Sequence, residues 1–389
     1  MMGKKEIPAR ADLVDYNHTV AGHAGTMCDA DGELFIKPCT QTEVDFYQSA
    51  NENHSEFADL MPLFMGTLML TDPAELSSGE DSVAGSVASG SAKEDTAPPA
   101  PSQPSAPAEQ RQDNGKWVQN KSKKIKTDQA VVLENSGSGF VSPNILDVKL
   151  GVRLWADDAP AEKKRRFDDI TAKTTHKPLG FRIAGMKVWR GSTTKSELDH
   201  EDYKIYDKDY GRVHVNTDNI VENFRKFIFN RAAGIDDDLG RAVVQAFLRD
   251  LRNVERVLSS EESRMYSASL LFVFEGDGER LRDAISQNNA AVERVEVEVD
   301  TSEKPGRSTL RVDSGIELID EDLSSLNAAV HGDDEDDEDD EDDGPALPKI
   351  YSLRLIDFAH AQWTPGLGPD ENALKGVRSL IKIFEEMAA

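Results

Sequence analysis

The residue types best spaced for chemistry are Asp147 and Lys149, in the stretch Pro143-Asn144-Ile145-Leu146-Asp147-Val148-Lys149-Leu150-Gly151. Read as a strand, this stretch puts Ile145, Asp147 and Lys149 on one face and Leu146, Val148 and Leu150 on the other. An acid and an ammonium two residues apart stand roughly 7 Å from each other. That gap can flank a reacting group. Pro143 suits a strand start, and Gly151 suits an exit turn or the close approach of a ligand. Alone, the pair is also what an ordinary half-exposed strand carries, so the elements around it must decide.

Upstream, Ala21 to Gly25, the turn Asp29-Ala30-Asp31-Gly32 and the run Glu33 to Lys37 read as a glycine-bearing hairpin whose second strand carries Lys37. Kinase-type folds cover ATP phosphates with such a loop and pair them with such a lysine. A calcium loop is disfavoured, because the third acid and the closing glutamate are missing. Thr40-Gln41-Thr42-Glu43 reads as a capping start of a helix, with Glu43 free to orient Lys37 or a metal, or simply to face the helix dipole. Leu60 to Leu70 returns to the sheet. Ala130 to Asn135 reads as a buried strand running into Ser136-Gly137-Ser138-Gly139, the pattern of a hinge between two lobes.

Downstream, Pro160 opens a helix bearing Lys163, Lys164, Arg165 and Arg166, a cationic face suited to a polyanion or merely to solvent. In the strand Leu179 to Trp189 the apolar phase shifts across Gly185, predicting a bulge that would turn Arg182 and Lys187 to the same side. Ile235 to Ser259 is an amphipathic core helix. Ser267 to Phe274 is a buried strand. Ile350 to His360 is another, with Asp357 at its end, where a carboxylate can hold magnesium against nucleotide phosphates. Glu371 to Met387 forms a final helix.

The formal net charge is −27, but eleven acids lie in the run Asp333 to Asp343, leaving −16 elsewhere. That balance argues against general nucleic-acid binding. Two cysteines, Cys28 and Cys39, are too few for a disulfide framework and favour a reducing compartment. No signal peptide or transmembrane segment is expected. Residues 77–110 and 287–348 are expected to be disordered insertions, the second carrying the acidic run. They interrupt an N-terminal lobe, 1–135, and a C-terminal lobe, 136–389. The cluster Lys121, Lys123, Lys124 and Lys126 reads as a nuclear-import signal or a solvated turn.

In this order, the lysine hairpin, the Glu43 helix, the hinge, Pro-x-x-x-Asp-x-Lys-x-Gly at 143–151 and Ser-Leu-x-x-Ile-Asp-Phe at 352–358 resemble the inositol polyphosphate kinase family. Gly180-Phe181-Arg182-Ile183, Gly185-Met186-Lys187-Val188 and Ala359-His360 look most like its multikinases, and the acidic insertion like fungal members. The resemblance implies an α+β, two-lobed kinase-like fold of antiparallel sheets with flanking helices and ATP in the interlobe cleft. It implies that Lys37 meets ATP phosphates, that the backbone around Leu133 and Glu134 meets adenine, and that Asp357 binds Mg2+. Asp147 would contact the ribose or orient the attacking hydroxyl, and Lys149 would bind substrate phosphate and the transferred group. Lys163, Arg166, Lys187 and His360 would grip inositol phosphates.

The implied activity is ATP-dependent phosphorylation of inositol trisphosphate and tetrakisphosphate toward pentakisphosphate. A hexakisphosphate kinase making pyrophosphates is the near alternative. A nuclear scaffold for transcription-factor proteins, built on the acidic run and the lysine cluster, is the distant one. A phosphatidylinositol bisphosphate headgroup presents similar phosphates and stays open as a substrate. Nucleus and cytoplasm are the expected locations.

Overall fold

A computed structural model describes residues 7–16, 20, 25–70, 127–301 and 347–389, with the side chains of 292–301 left aside. Most of the glycine stretch 21–24, the segment 77–110, the lysine cluster and the acidic run fall outside these residues.

Two five-stranded antiparallel sheets divide the chain. The first contains β1 (Val14–Asp15), β2 (Met27–Cys28), β3 (Leu34–Pro38), β4 (Phe64–Met69) and β5 (Gln129–Glu134), in the order β1-β2-β3-β5-β4. The second contains β6 (Pro143–Leu150), β7 (Phe181–Trp189), β8 (Tyr203–Tyr206), β10 (Ser269–Glu275) and β11 (Tyr351–Ile356), in the order β11-β10-β6-β7-β8. A two-stranded ribbon pairs β9 (Ser263–Met265) with β12 (Ala361–Trp363). The helices are α1 (Gln41–Asn53), α2 (Ser55–Ala58), α3 (Ala161–Lys173), α4 (His176–Leu179), α5 (Lys208–Val213), α6 (Ile220–Ile228), α7 (Asp237–Ser260), α8 (Gly278–Thr301) and α9 (Glu371–Ala388).

The strand carrying Asp147 and Lys149 is the centre of the second sheet. Asp147 pairs with Leu271 of β10 and Gly185 of β7, and Lys149 with Ser269 and Arg182. The register with β7 slips by one residue at Ala184, because Asp147 opposes Gly185 while Val148 opposes Ile183. This is the expected bulge. It brings Arg182 and Lys187 to the face of Asp147, opposite Lys149 and Ile145.

Beneath the sheet, α7 and α9 bury apolar stripes, and the rings of Phe272 and Phe384 stack at 5.6 Å. The N-terminal strands do not own a separate large core. Phe46 of α1 stacks on Phe358 and Trp363 at 5.0 and 4.7 Å, so α1 belongs to the same apolar cluster as α7 and α9. The rigid footing of Lys37 and Glu43 is thus shared with the segment that carries Asp357.

One expectation needs correction. The stretch from Gln287 was read as the start of an insertion, yet α8 continues through it to Thr301. The buried stripe of Leu281, Ala284, Ile285 and Asn288, at helical spacing, begins before that stretch and enters it at Asn288. The Asn288 amide also donates to the Ala284 and Pro348 carbonyls at 2.8 and 3.0 Å.

Candidate active site

Lys37 stands on β3 with its ammonium buried between two carboxylates, 2.8 Å from Glu43 Oε1 and 2.8 Å from Asp357 Oδ1. Burial opposes the charge, but Asp357 and then Glu43 outweigh it and raise the Lys37 pKa, so the group stays protonated. Thr40 occupies the N-cap of α1 without a side-chain cap. Glu43 turns away from the capping role: its Oε1 takes Lys37 and also the Phe358 N–H, at 3.2 Å. Of the readings open for Glu43, the geometry selects orientation of Lys37.

Asp357 ends β11 in the left-handed region, at φ 70°. Such a backbone costs of order 1 kcal/mol for a non-glycine residue and is held only by its surroundings. Its second oxygen lies 3.5 Å from Lys149 Nζ. Lys149 also donates to the Ser267 carbonyl at 2.6 Å, and Ser267 is itself left-handed, at φ 65°. Both partners of Lys149 therefore come from strained turns.

Asp147 is buried, and its Oδ1 has no hydrogen-bond partner among the described residues. Burial raises its pKa, opposed by Lys149 and reinforced by Asp357. The fold thus makes this carboxylate more basic than an ordinary one. Arg182, across the strand pair from Lys149, is buried with its pKa lowered to about 10 by desolvation and by Arg212. It remains a cation.

Lys37, Leu133, Glu134, Asp147 and Asp357 line one cleft, walled by Phe35, Ile145, Leu271 and Val273. At its hinge end Glu134 pairs with Lys349 at 2.9 Å. The Asn135 amide is spent internally, donating to the Gly32 carbonyl at 2.7 Å and accepting from Gly137 N–H at 3.0 Å. Among the described residues no cluster of three or more His, Cys, Asp or Glu gathers to hold a metal. A magnesium ion shared with nucleotide phosphates needs only one or two carboxylates, and Asp357 between two ammonium groups is suited to that and not to an all-protein cage.

On the basic helix, Lys163 Nζ lies 3.2 Å from His360 Nε2, three residues beyond Asp357. Burial and then the Lys163 charge lower the His360 pKa, so its ring is a neutral partner. Arg166 is exposed, with its guanidinium 5.3 Å from the Phe167 ring centre. Lys187 is not brought to this group. The bulge seats it opposite Ile145, near the hinge end of the sheet, with its ammonium 3.9 Å over the Tyr203 ring and 3.4 Å from Glu201.

Sequence reasoning passed over several supports. Glu275 accepts from the N–H groups of Val141, Ser142 and Asp277 at 2.7, 3.0 and 3.1 Å and so fixes the start of β6. His176 is fully buried and hydrogen-bonds the Gly151 carbonyl at 2.7 Å. The carbonyl of Ser267 carries no side-chain signal that spacing could reveal. For Glu275, its place at the end of an apolar run was the available hint.

A buried lysine–carboxylate pair over an apolar cleft, with a second lysine and a basic carboxylate beside it, makes a site of the phosphotransferase kind. A family model described as inositol polyphosphate kinase matches residues 130–385. The inositol polyphosphate multikinase of Saccharomyces cerevisiae is 33% identical, over 94% of this chain and 96% of that protein. The one of Schizosaccharomyces pombe is 26% identical over 94% of both. The crystal structure of an S. cerevisiae inositol phosphate multikinase in complex with ADP and Mn2+ shares the fold, with a TM-score of 0.53 and 24% identity over 92% of this chain and 100% of that one. The chain belongs to the inositol polyphosphate kinase family, and it is a kinase of α+β architecture.

Proposed function

We propose that this kinase transfers the γ-phosphoryl group of ATP, with Mg2+, to hydroxyls of inositol trisphosphate and tetrakisphosphate on the way to pentakisphosphate. The observation that carries the reading is the meeting of Lys37, Asp357 and Lys149 in one chain of contacts beside Asp147. The full-length similarity to proteins named as multikinases supports it.

Magnesium-nucleotide, when bound, supplies a phosphoryl group whose transfer demands positioning and charge cancellation more than covalent help. Lys37 meets the phosphate oxygens as a permanent cation. Asp357 would hold the metal, and Lys149 would offset charge on the transferred group. Asp147 orients the attacking hydroxyl and takes its proton, a task its raised pKa favours. Lys163, Arg166 and His360 hold the substrate phosphates, and Lys187 joins them only by leaving Glu201. Nucleus and cytoplasm are the proposed sites of action.

The test is incubation with magnesium-ATP and a panel of inositol phosphates, with products separated by chromatography and weighed by mass spectrometry. Ordered conversion of trisphosphate to pentakisphosphate, lost in folded D147N protein, is the expected result. Pyrophosphate products from hexakisphosphate would replace this reading with the hexakisphosphate kinase one. No product from any substrate would refute both.

A further inference from the structure

We infer that Asn372, on the first turn of the last helix, is a positioning residue that sets the basic helix against the catalytic strand. The inference rests on the proposed function for its kinetic consequence, and on geometry alone for the anchor itself.

Residues 151–160 join the strand of Lys149 to the helix of Lys163, so their placement fixes how the two cations face each other. Asn372 acts on this loop as a peptide group would. Its Oδ1 accepts from the N–H groups of Val152 and Arg153, both at 2.8 Å, and its Nδ2 donates to the Arg153 carbonyl at 3.0 Å. From the other side, Thr171 near the end of α3 donates its hydroxyl to the Val152 carbonyl at 2.8 Å. The loop is thus gripped at one peptide by α9 and by the helix it leads into.

The glycine that ends the Pro-x-x-x-Asp-x-Lys-x-Gly stretch acquires a role here. Gly151 has φ 95°, and a Cβ there would come within 2.5 Å of Asn372 Nδ2. Its bareness admits Asn372, whereas a ligand was one of the neighbours expected from sequence. The anchor also reaches the other side of Lys149. Asp370, the N-cap of α9, accepts from Asn372 N–H at 3.0 Å and from Met265 N–H at 2.7 Å. Met265 lies two residues before Ser267, whose carbonyl takes the Lys149 ammonium. One helix start therefore sets both the strand-side and the helix-side surroundings of Lys149.

N372A removes three hydrogen bonds, and T171V removes one from the opposite side with little change of shape. Each should raise KM for inositol trisphosphate, N372A by about ten-fold and T171V by about three-fold, while KM for ATP stays within about two-fold. Hydrogen exchange at 152–153 and along 161–167 should quicken in both variants, and N372D, which keeps the acceptor, should fall between N372A and wild type. A purely structural role would move both KM values or neither. Unchanged exchange at 152–153 overturns the anchor, and faster exchange with an unchanged KM for inositol trisphosphate overturns its positioning role. If wild-type protein phosphorylates no inositol phosphate, the proposed function fails separately, and exchange alone then judges the anchor.

Discussion

Substituting Glu43 by glutamine tests the logic of the nucleotide side. The glutamine would keep an oxygen for Lys37 Nζ and for the Phe358 N–H, now 2.8 and 3.2 Å from Glu43 Oε1, and would delete only the charge. Lys37 keeps its charge, so an ion pair becomes a charge-assisted hydrogen bond to a neutral oxygen, and the tether weakens by ~1–1.5 kcal/mol. Lys37 then leans on Asp357 alone, and the carboxylate proposed to hold the metal is more tightly engaged before nucleotide arrives. KM for magnesium-ATP should rise about ten-fold on that difference, with KM for the inositol phosphate little changed. The new amide nitrogen stands where Oε2 has no hydrogen-bond partner among the described residues, so that position is unpaired in both proteins and any fall in Tm reports the weaker hold on Lys37. Initial rates at saturating inositol phosphate, with magnesium-ATP varied, give the measurement. A folded E43Q protein with wild-type KM for magnesium-ATP would refute the claim that Glu43 holds Lys37 for the nucleotide.

Other outcomes follow from the same geometry. His176 has its pKa lowered to about 3 by burial and by Arg182, against ~6.5 when unfolded, so it takes up a proton on unfolding below that value. Wild-type stability should fall by ~2 kcal/mol between about pH 8 and about pH 5 from this group, and urea titrations of H176Q should lack that slope. Asp147 has the opposite sign: its raised pKa means stability is lost as pH climbs from the ordinary carboxyl value through the higher folded one. D147N should therefore unfold at a higher temperature than wild type at pH 7 while turnover drops by about 10²–10⁴-fold. K163A should raise KM for inositol trisphosphate about ten-fold, whereas K187A should change it by less than about three-fold, because Lys187 is engaged by Glu201 and Tyr203. A larger effect of K187A would show that Glu201 gives way to substrate.

Much of the site was legible because strand parity is a strong rule. Alternation put Asp147 and Lys149 on one face, and the phase shift in 181–188 turned Arg182 and Lys187 to one common side, which the register with β6 makes the side of Asp147. The apolar stripes of α7 and α9 were equally plain. Long-range closures were not. Spacing offered Lys37 as a partner of Glu43 without deciding between it and the helix dipole, and nothing in spacing says that a serine carbonyl receives Lys149 or that Asn372 reaches 220 residues back to Val152. These are backbone partnerships created by the fold, and the side-chain alphabet does not encode them. Composition misled at α8, where a stripe one residue wide was outweighed by its polar surroundings. The segment holding β8, α5 and α6 drew no reading, although Ile220, Phe224, Phe227 and Ile228 repeat at helical spacing and are buried.

The extra residue at Ala184 bears on how this sheet tolerates change. A strand of unbroken parity could not present Arg182 and Lys187, five positions apart, to the same side. Point substitutions at 184 leave that arrangement intact so long as the kink persists. Removal of Ala184 would leave it intact as well, because Arg182 and Lys187 would then stand four positions apart in a strand of regular parity, still opposite Lys149 and Ile145. The charge layout of the catalytic face thus rests on one unpaired position that can be exchanged or removed, whereas straightening the strand with all its residues present would turn Lys187 into the apolar layer and Met186 toward the cleft.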